Sequence, residues 1–316
     1  MRESASLKGA NKGRVVPAQF SYVLNVVAGA HPIAQATAQA IQDSCRNVAP
    51  VGVLDWLAPS RAFDIAFAGD PDAARASLRQ TVHDDWLLDL NIVPSENRRK
   101  RLLIADMDST IIGCECIDEL ADMVGLKPQV AAITERAMRG ELDFPAALRE
   151  RVALLKGLPL EALARVYAER VRLNPGARAL TATMRAHGAH TVLVSGGFTY
   201  FTARVSADAG FDEQQGNRLL DDGKVLTGKV EEPILGREAK LRALEEGISR
   251  FGLALCDTLA VGDGANDLDM IKRAGLGVAY HAKPVVEAAA GTSIAHGDLC
   301  ALLYLQGYRN SEIQRP

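Results

Sequence analysis

Three short apolar runs, each ending in a polar residue, constrain this chain more than any other feature. Leu102-Leu103-Ile104-Ala105 leads into Asp106, Thr191-Val192-Leu193-Val194 into Ser195, and Leu259-Ala260-Val261 into Gly262-Asp263. Gly277-Val278-Ala279-Tyr280 is a fourth run of the same kind. Unbroken apolar runs of this length suit strands buried on both faces, and helix-length segments separate them. The pattern therefore predicts an α/β fold with a Rossmann-like parallel sheet. Ligands of such sheets gather at the carboxyl ends of the strands, so Asp106, Ser195 and Asp263 are expected to share one crevice. A single Asp after a strand is ordinary turn chemistry. Three strand ends with complementary groups point to a site.

Between the first two strands lies an insertion of roughly residues 117–171, with Gly125 and Gly157-Leu158-Pro159 as breakers. It is too long for a plain crossover, and a helical cap over the sheet edge is expected. Leu219 to Thr227, with Asp222-Gly223 in the middle, predicts a β-hairpin. Ahead of the sheet, Phe20–Val27, Val51–Leu57, Ala62–Phe67 and Trp86–Val93 have strand character, and two helices fall between them, over Ile33–Cys45 and after Asp70-Pro71-Asp72. The order βαββαβ is that of a small α+β ferredoxin-like unit, and it resembles an ACT-type regulatory domain in element order alone. The expected division is a tail over 1–15, an ACT-like unit over 16–95 and a catalytic unit over 101–316. The basic run Asn97-Arg98-Arg99-Lys100-Arg101 is expected to be a solvated linker. No candidate catalytic residue precedes Leu102, so a chain starting near Glu96 holds all the chemistry, provided its core does not lean on the first unit.

A net charge of -3 gives no global attraction to nucleic acid or anionic membrane and leaves a small molecule as the expected partner, with a homodimer as the possible assembly. The longest uncharged stretch, Val15 to Gln42, is interrupted by Pro17, Asn25, His31 and Pro32, so no membrane span is expected. Five scattered cysteines make no disulfide framework, which suits the cytoplasm. Cys114 and Cys116 are expected to be two packed thiols, and the six histidines to lie at the surface or in loops.

Asp106-Met107-Asp108-Ser109-Thr110 supplies two carboxylates two positions apart. Asp106, ionised at neutral pH, can attack phosphorus; Asp108 can protonate a departing alkoxide and then take a proton from water. Gly262-Asp263-Gly264-Ala265-Asn266-Asp267 brings two more carboxylates to the third strand end. Gathering Asp106, Asp263 and Asp267 costs about 4 kcal/mol for each pair of charges 4 Å apart at an effective dielectric near 20. A cation is implied, and an all-oxygen set suits Mg²⁺. Ser195-Gly196-Gly197 offers a hydroxyl and backbone N–H groups to phosphoryl oxygens, and Lys240 a positive charge.

Together these segments resemble the haloacid dehalogenase superfamily, with D-x-D-x-T, a Ser after the second strand, a Lys and G-D-x-x-x-D in order from Leu102 to about Leu303. Closer signals are D-M-D-S-T-x-x-x-x-E at 106–115, F-x-x-x-L-x-x-R-V at 144–152, V-S-G-G-F at 194–198, L-T-G at 226–228 and V-G-D-G-A-N-D at 261–267. They resemble the phosphoserine phosphatase family within that superfamily. The resemblance implies hydrolysis of O-phosphoserine through an aspartyl phosphate, the last step of serine biosynthesis. Phosphotransfer to another alcohol such as homoserine and a broad metabolite phosphatase are the alternatives. It further implies that Glu115 and Arg151 hold the ammonium and carboxylate, with Met138 and Phe144 shielding them. Ser195, Gly196 and Lys240 go to phosphate, Asn266 to substrate, and Asp106, Asp263 and the backbone carbonyl of Asp108 to Mg²⁺.

Overall fold

The computed structural model describes residues 20–138 and 141–316, so the tail expected over 1–15 lies outside it. Strands β1 (Tyr22–Ala28), β2 (Val51–Ala58), β3 (Ala62–Phe67) and β4 (Leu88–Pro94) form an antiparallel sheet in the order β2-β3-β1-β4. With helices α1 (Gln35–Arg46) and α2 (Pro71–Thr81), this is the ferredoxin-like arrangement. Helix α2 begins where its residues demand. Asp70 accepts from Asp72 N at 2.9 Å, and Pro71, which has no N–H to satisfy, fills the first turn.

Alternate residues divide this sheet into two faces. Leu24, Val26, Phe63, Ile65 and Phe67 bury against the two helices. The opposite face carries Asn25, Asp64, Asp89 and Asn91 among Val23, Val27, Ala62 and Val93, and it is buried as well. Its apolar residues share one continuous cluster with Leu302, Leu305 and Tyr308 near the C-terminus. Arg98 fixes the joint: it pairs with Asp64 at 2.5 Å and donates to the carbonyls of Tyr304 and Leu305 at 3.1 Å. Lys100 is buried and donates to the carbonyls of Asn97 and Cys256. The basic run is therefore a solvated linker only in part: Asn97, Arg99 and Arg101 are exposed, while Arg98 and Lys100 are absorbed by carbonyls and a carboxylate of the joint.

After β5 (Leu102–Ala105) the chain forms the cap, from α3 (Cys116–Met123), α4 (Lys127–Met138), α5 (Phe144–Leu154) and α6 (Leu160–Glu169). It returns through α7 (Ala177–Ala186), β6 (His190–Phe198), α8 (Thr199–Ala209) and β7 (Glu213–Asn217) to a hairpin of β8 (Leu219–Asp221) and β9 (Leu226–Val230). Then follow α9 (Arg237–Phe251), β10 (Thr258–Gly262), α10 (Leu268–Arg273), β11 (Leu276–Tyr280), α11 (Pro284–Ala290), β12 (Ser293–Ile294) and α12 (Ala301–Leu305). The sheet is parallel, in the order β12-β11-β10-β5-β6-β7, with β5 at its centre. The hairpin braces the cap: Leu226 exchanges backbone hydrogen bonds of 2.8 Å with Gly157 and Leu158. Gly228, at φ +73°, lies where a Cβ would stand 2.8 Å from that of Lys156, which accounts for the glycine of L-T-G. Among the described residues no helix is long and apolar enough to cross a membrane.

Candidate active site

The strand ends converge as their polar termini require. Strand β5 lies between β10 and β6, so Asp106 emerges beside the loop 262–267 on one side and Ser195 on the other. Carboxylate oxygens of Asp106, Asp263 and Asp267 lie within 4.8 Å of one another. Lys240, on α9 and 1% exposed, reaches Asp106 at 2.8 Å and Asp267 at 2.6 Å. Asp267 also accepts from Gly264 N at 3.0 Å, and Thr110 donates to Asp263 at 3.1 Å. At Gly262 any Cβ would collide with the Asp267 carboxylate, so the glycine permits the close approach.

One ammonium against three enclosed carboxylates leaves an excess of negative charge. Burial, reinforced by Asp267, pushes the Asp106 carboxyl well up against the pull of Lys240 and pushes Asp263 up to about 6. Burial alone would lower Lys240, but Asp106 and Asp267 hold it above the usual lysine range, so it remains charged. The unbalanced carboxylates and their all-oxygen character fit a divalent cation, which would restore the ionised form of Asp106.

Asp108 faces the other way. Its carboxylate accepts from Cys116 N at 2.9 Å and from the Ser195 hydroxyl at 3.1 Å, and burial raises its pKa despite both bonds. Such a group holds a proton more readily than a free aspartate, as a general acid must. Ser195 does not end β6 as the apolar run implied. The strand continues to Phe198 because Asn217, buried at the end of β7, donates to Gly196 O at 2.8 Å and exchanges hydrogen bonds with Leu235. Gly197 N in turn donates to Ser195 Oγ at 2.8 Å.

Above these groups lies a cavity of about 130 Å³ lined by Asp106, Asp108, Ser195 and Gly196 from the sheet, Asp263 and Asn266 from the third loop, and Glu115, Phe144, Leu148 and Arg151 from the cap. Clefts of about 690 and 940 Å³ open elsewhere on the protein, but the strand-end groups converge on the small one. Phe144, Leu148 and Arg151 fall at helical spacing on one face of α5, which therefore serves as the roof. Asp143 caps that helix, accepting from Ala146 N at 2.7 Å. Phe144 packs so closely on the floor that a Cβ at Gly196 would stand 2.8 Å from its ring. Glu115 accepts from the Ser109 hydroxyl at 2.7 Å; burial and the Asp108 charge push its carboxyl up to about 7. Burial lowers Arg151, with Asp118 and Glu115 opposing the shift. The side chain of Met138 lies outside the description.

Residue types alone did not single out Thr110, Asn217 or Leu148. Thr110 sits in D-x-D-x-T, and its hydroxyl orients Asp263. Leu148 stands one turn after Phe144, and that spacing was the available signal. Asn217 lies in Glu213-Gln214-Gln215-Gly216-Asn217, which carries no apolar pattern.

The haloacid dehalogenase-like hydrolase family matches over residues 103–272. The phosphoserine phosphatase of Archaeoglobus fulgidus is 44% identical over 237 residues, 74% of this chain and 69% of that one. The structure of a probable phosphoserine phosphatase from Vibrio cholerae, in unliganded form, superposes with a TM-score of 0.75 at 32% identity, covering 93% of this chain and 88% of that one. A substrate-bound phosphoserine phosphatase complex superposes with a TM-score of 0.60 at 38% identity, covering 65% of this chain and 98% of that one. A family match across more than half the sequence, on a parallel sheet whose strand ends carry the carboxylates, makes this chain a member of the haloacid dehalogenase-like hydrolase family.

Proposed function

We propose that this protein hydrolyses O-phosphoserine to serine and phosphate, with Asp106 as nucleophile. The observation that carries the assignment is the cavity itself: Glu115 and Arg151 line the same small space as Asp106, so an acid and a base face the phosphate end. In the first step a carboxylate oxygen of Asp106 bonds to phosphorus. The bond from phosphorus to the serine oxygen breaks, and Asp108 gives that oxygen its proton. In the second step a water oxygen attacks the same phosphorus while Asp108 takes the water proton, and the Asp106 carboxylate is released. Ser195, Gly196 and Lys240 hold the phosphoryl oxygens, Asn266 contacts the substrate, and Phe144 closes the roof against bulk water. Asp106, Asp263, Asp267 and the backbone carbonyl of Asp108 would hold Mg²⁺, which supplies positive charge to the phosphoryl group when bound. No feature of the site favours an alcohol acceptor over water. Free thiols and the absence of a disulfide among the described residues support a cytoplasmic setting. Light scattering would test assembly as a homodimer.

Selectivity tests the assignment. Arg151→Ala removes charge-assisted hydrogen bonds worth about 1.5–3 kcal/mol each. The kcat/KM for phosphoserine is expected to fall about tenfold to a hundredfold or more. Hydrolysis of p-nitrophenyl phosphate, which has no carboxylate or ammonium, is expected to fall much less, and Glu115→Gln to show the same asymmetry. Equal losses on both substrates would remove the basis for phosphoserine recognition.

The raised pKa of Glu115 adds a pH signature. Below about pH 7 the free enzyme carries Glu115 protonated and neutral, so its grip on an ammonium is lost as pH falls and gained as pH rises. The ratio of kcat/KM for phosphoserine to that for p-nitrophenyl phosphate is expected to decline between about pH 8 and pH 6 in the wild type, and to decline less in Glu115→Gln. Identical pH profiles of the ratio in the two proteins would contradict the role of Glu115.

A further inference from the structure

Among the contacts that join the N-terminal sheet to the catalytic half is a buried carboxylate whose polar partners all belong to that half. Asp89, on β4 and 4% exposed, accepts from the backbone N–H groups of Ala295 and His296 at 2.8 and 3.0 Å, and from Gly297 at 2.7 Å. Three successive donors wrapped round an anion form a backbone nest. Gly297 is required there, because a Cβ would stand 2.9 Å from the carboxylate. Beside it Asn91 accepts from Ser293 N at 3.0 Å and donates to Ser293 O at 2.7 Å, standing in for the missing neighbour of β12.

The segment held by Asp89 leads back to the nucleophile loop. Leu299 N donates to Pro175 O at 3.0 Å, and Gly176 packs where a Cβ would stand 2.6 Å from Cys300 N. Asn174, which precedes Pro175, clasps the turn after Asp108: its side chain donates to Thr110 O and its backbone N–H to Ile111 O, both at 2.8 Å. Thr110 in turn orients Asp263. We propose that Asp89 is a positioning residue for the Asp106–Thr110 loop, acting through residues 295–300 and Asn174. The N-terminal sheet then forms part of the catalytic body. A buried carboxylate that satisfies three N–H groups leaves all three unpaired when it is truncated, so the effect is local before it is global.

This inference rests on the phosphatase assignment, and p-nitrophenyl phosphate assayed beside phosphoserine separates the two. Loss of phosphoserine hydrolysis by the wild type alone would defeat the substrate assignment and leave the positioning test readable on the other substrate. Asp89→Ala, assayed in the full chain at a temperature where circular dichroism shows it folded, is expected to lower kcat about tenfold on both substrates. The KM for phosphoserine should change less than threefold, and the half-activating Mg²⁺ concentration should rise about threefold or more. Asn174→Ala is expected to do the same. The double variant should be no worse than the poorer single within about twofold, since both act along one route. Wild-type kcat and Mg²⁺ midpoint in Asp89→Ala with only a lowered Tm, or losses that multiply in the double variant, would overturn it. If Asp89→Ala fails to fold, Asp89→Asn takes its place: its one amide oxygen keeps part of the nest, and an unaltered kcat and Mg²⁺ midpoint would equally overturn the proposal.

Discussion

Asp106→Asn is expected to fold as the wild type does and to hydrolyse phosphoserine at less than about one ten-thousandth of its rate. Removing the nucleophile of a covalent mechanism costs about four to six orders of magnitude in kcat. An amide cannot accept and release the phosphoryl group, and neither Asp263 nor Asp267 is free to replace it. Thr110 holds one, while Lys240 and Gly264 N hold the other. Folding should survive because the amide side chain would retain an oxygen for Met107 N, which now donates to Asp106 at 2.8 Å. The variant also loses a charge that burial and Asp267 already disfavour, so its Tm should match or exceed that of the wild type. Steady-state assays with mass spectrometry to exclude deamidation measure the first claim; calorimetry measures the second. Turnover above about one per cent in protein of verified mass would refute the covalent mechanism.

The sequence exposed the parts of this site that obey local rules. Strand β5 and its Asp106, or β10 and its Gly262-Asp263, are legible because a strand buried on both faces must be apolar and a strand end must break that pattern. The roof was legible as a cap, since no crossover needs over fifty residues, and Phe144, Leu148 and Arg151 share a face by spacing alone. Strand β7 was not legible. An edge strand of Glu, Gln, Gln, Gly and Asn has no hydrophobic period, and it is held by pairing with β6. The same cause hid the true length of β6, whose last residues follow Asn217 rather than their own propensity.

The joint between the two sheets was hidden for a different reason. Asn25, Asp64, Asp89 and Asn91 alternate with apolar residues, which is how the wet face of an antiparallel sheet ordinarily looks. Asp64 pairs with Asn25 and Arg98, while the partners of Asn25, Asp89 and Asn91 include carbonyls and N–H groups of Tyr304, Ser293 and residues 295–297, about two hundred or more positions away. No local pattern distinguishes a polar residue destined for water from one destined for a backbone group at that distance. Arg98 was hidden likewise: a charge run reads as solvated throughout until a buried carboxylate such as Asp64 claims one of its members.

That joint decides what a shortened chain will do. A fragment of residues 96–316 contains every candidate catalytic residue, yet it is expected to aggregate or to remain partly unfolded, with less than about one per cent of full-chain activity. Helix α12 is buried at all five of its positions, and the cluster it joins includes Val23, Val27, Leu57, Ala58, Ala62 and Val93 of the first sheet. The three valines and the leucine contribute about 1.5–3 kcal/mol each when fully buried, a sum close to the whole stability of an ordinary domain. Deletion also leaves Arg98 without Asp64 and the nest at 295–297 without Asp89, and unpaired buried groups cost more than absent ones. The substrate-bound relative is matched over 98% of its length by 65% of this chain, so that relative folds without a counterpart to the remainder. The dependence therefore lies in the apolar and charged surface that this chain presents at 293–308. Supplying residues 1–95 as a separate chain should restore soluble, active protein, because the lost contacts are noncovalent and complementary. Size-exclusion chromatography and phosphate release measure both claims. A monodisperse 96–316 fragment with kcat within threefold of the full chain would show that the second sheet stands without the first.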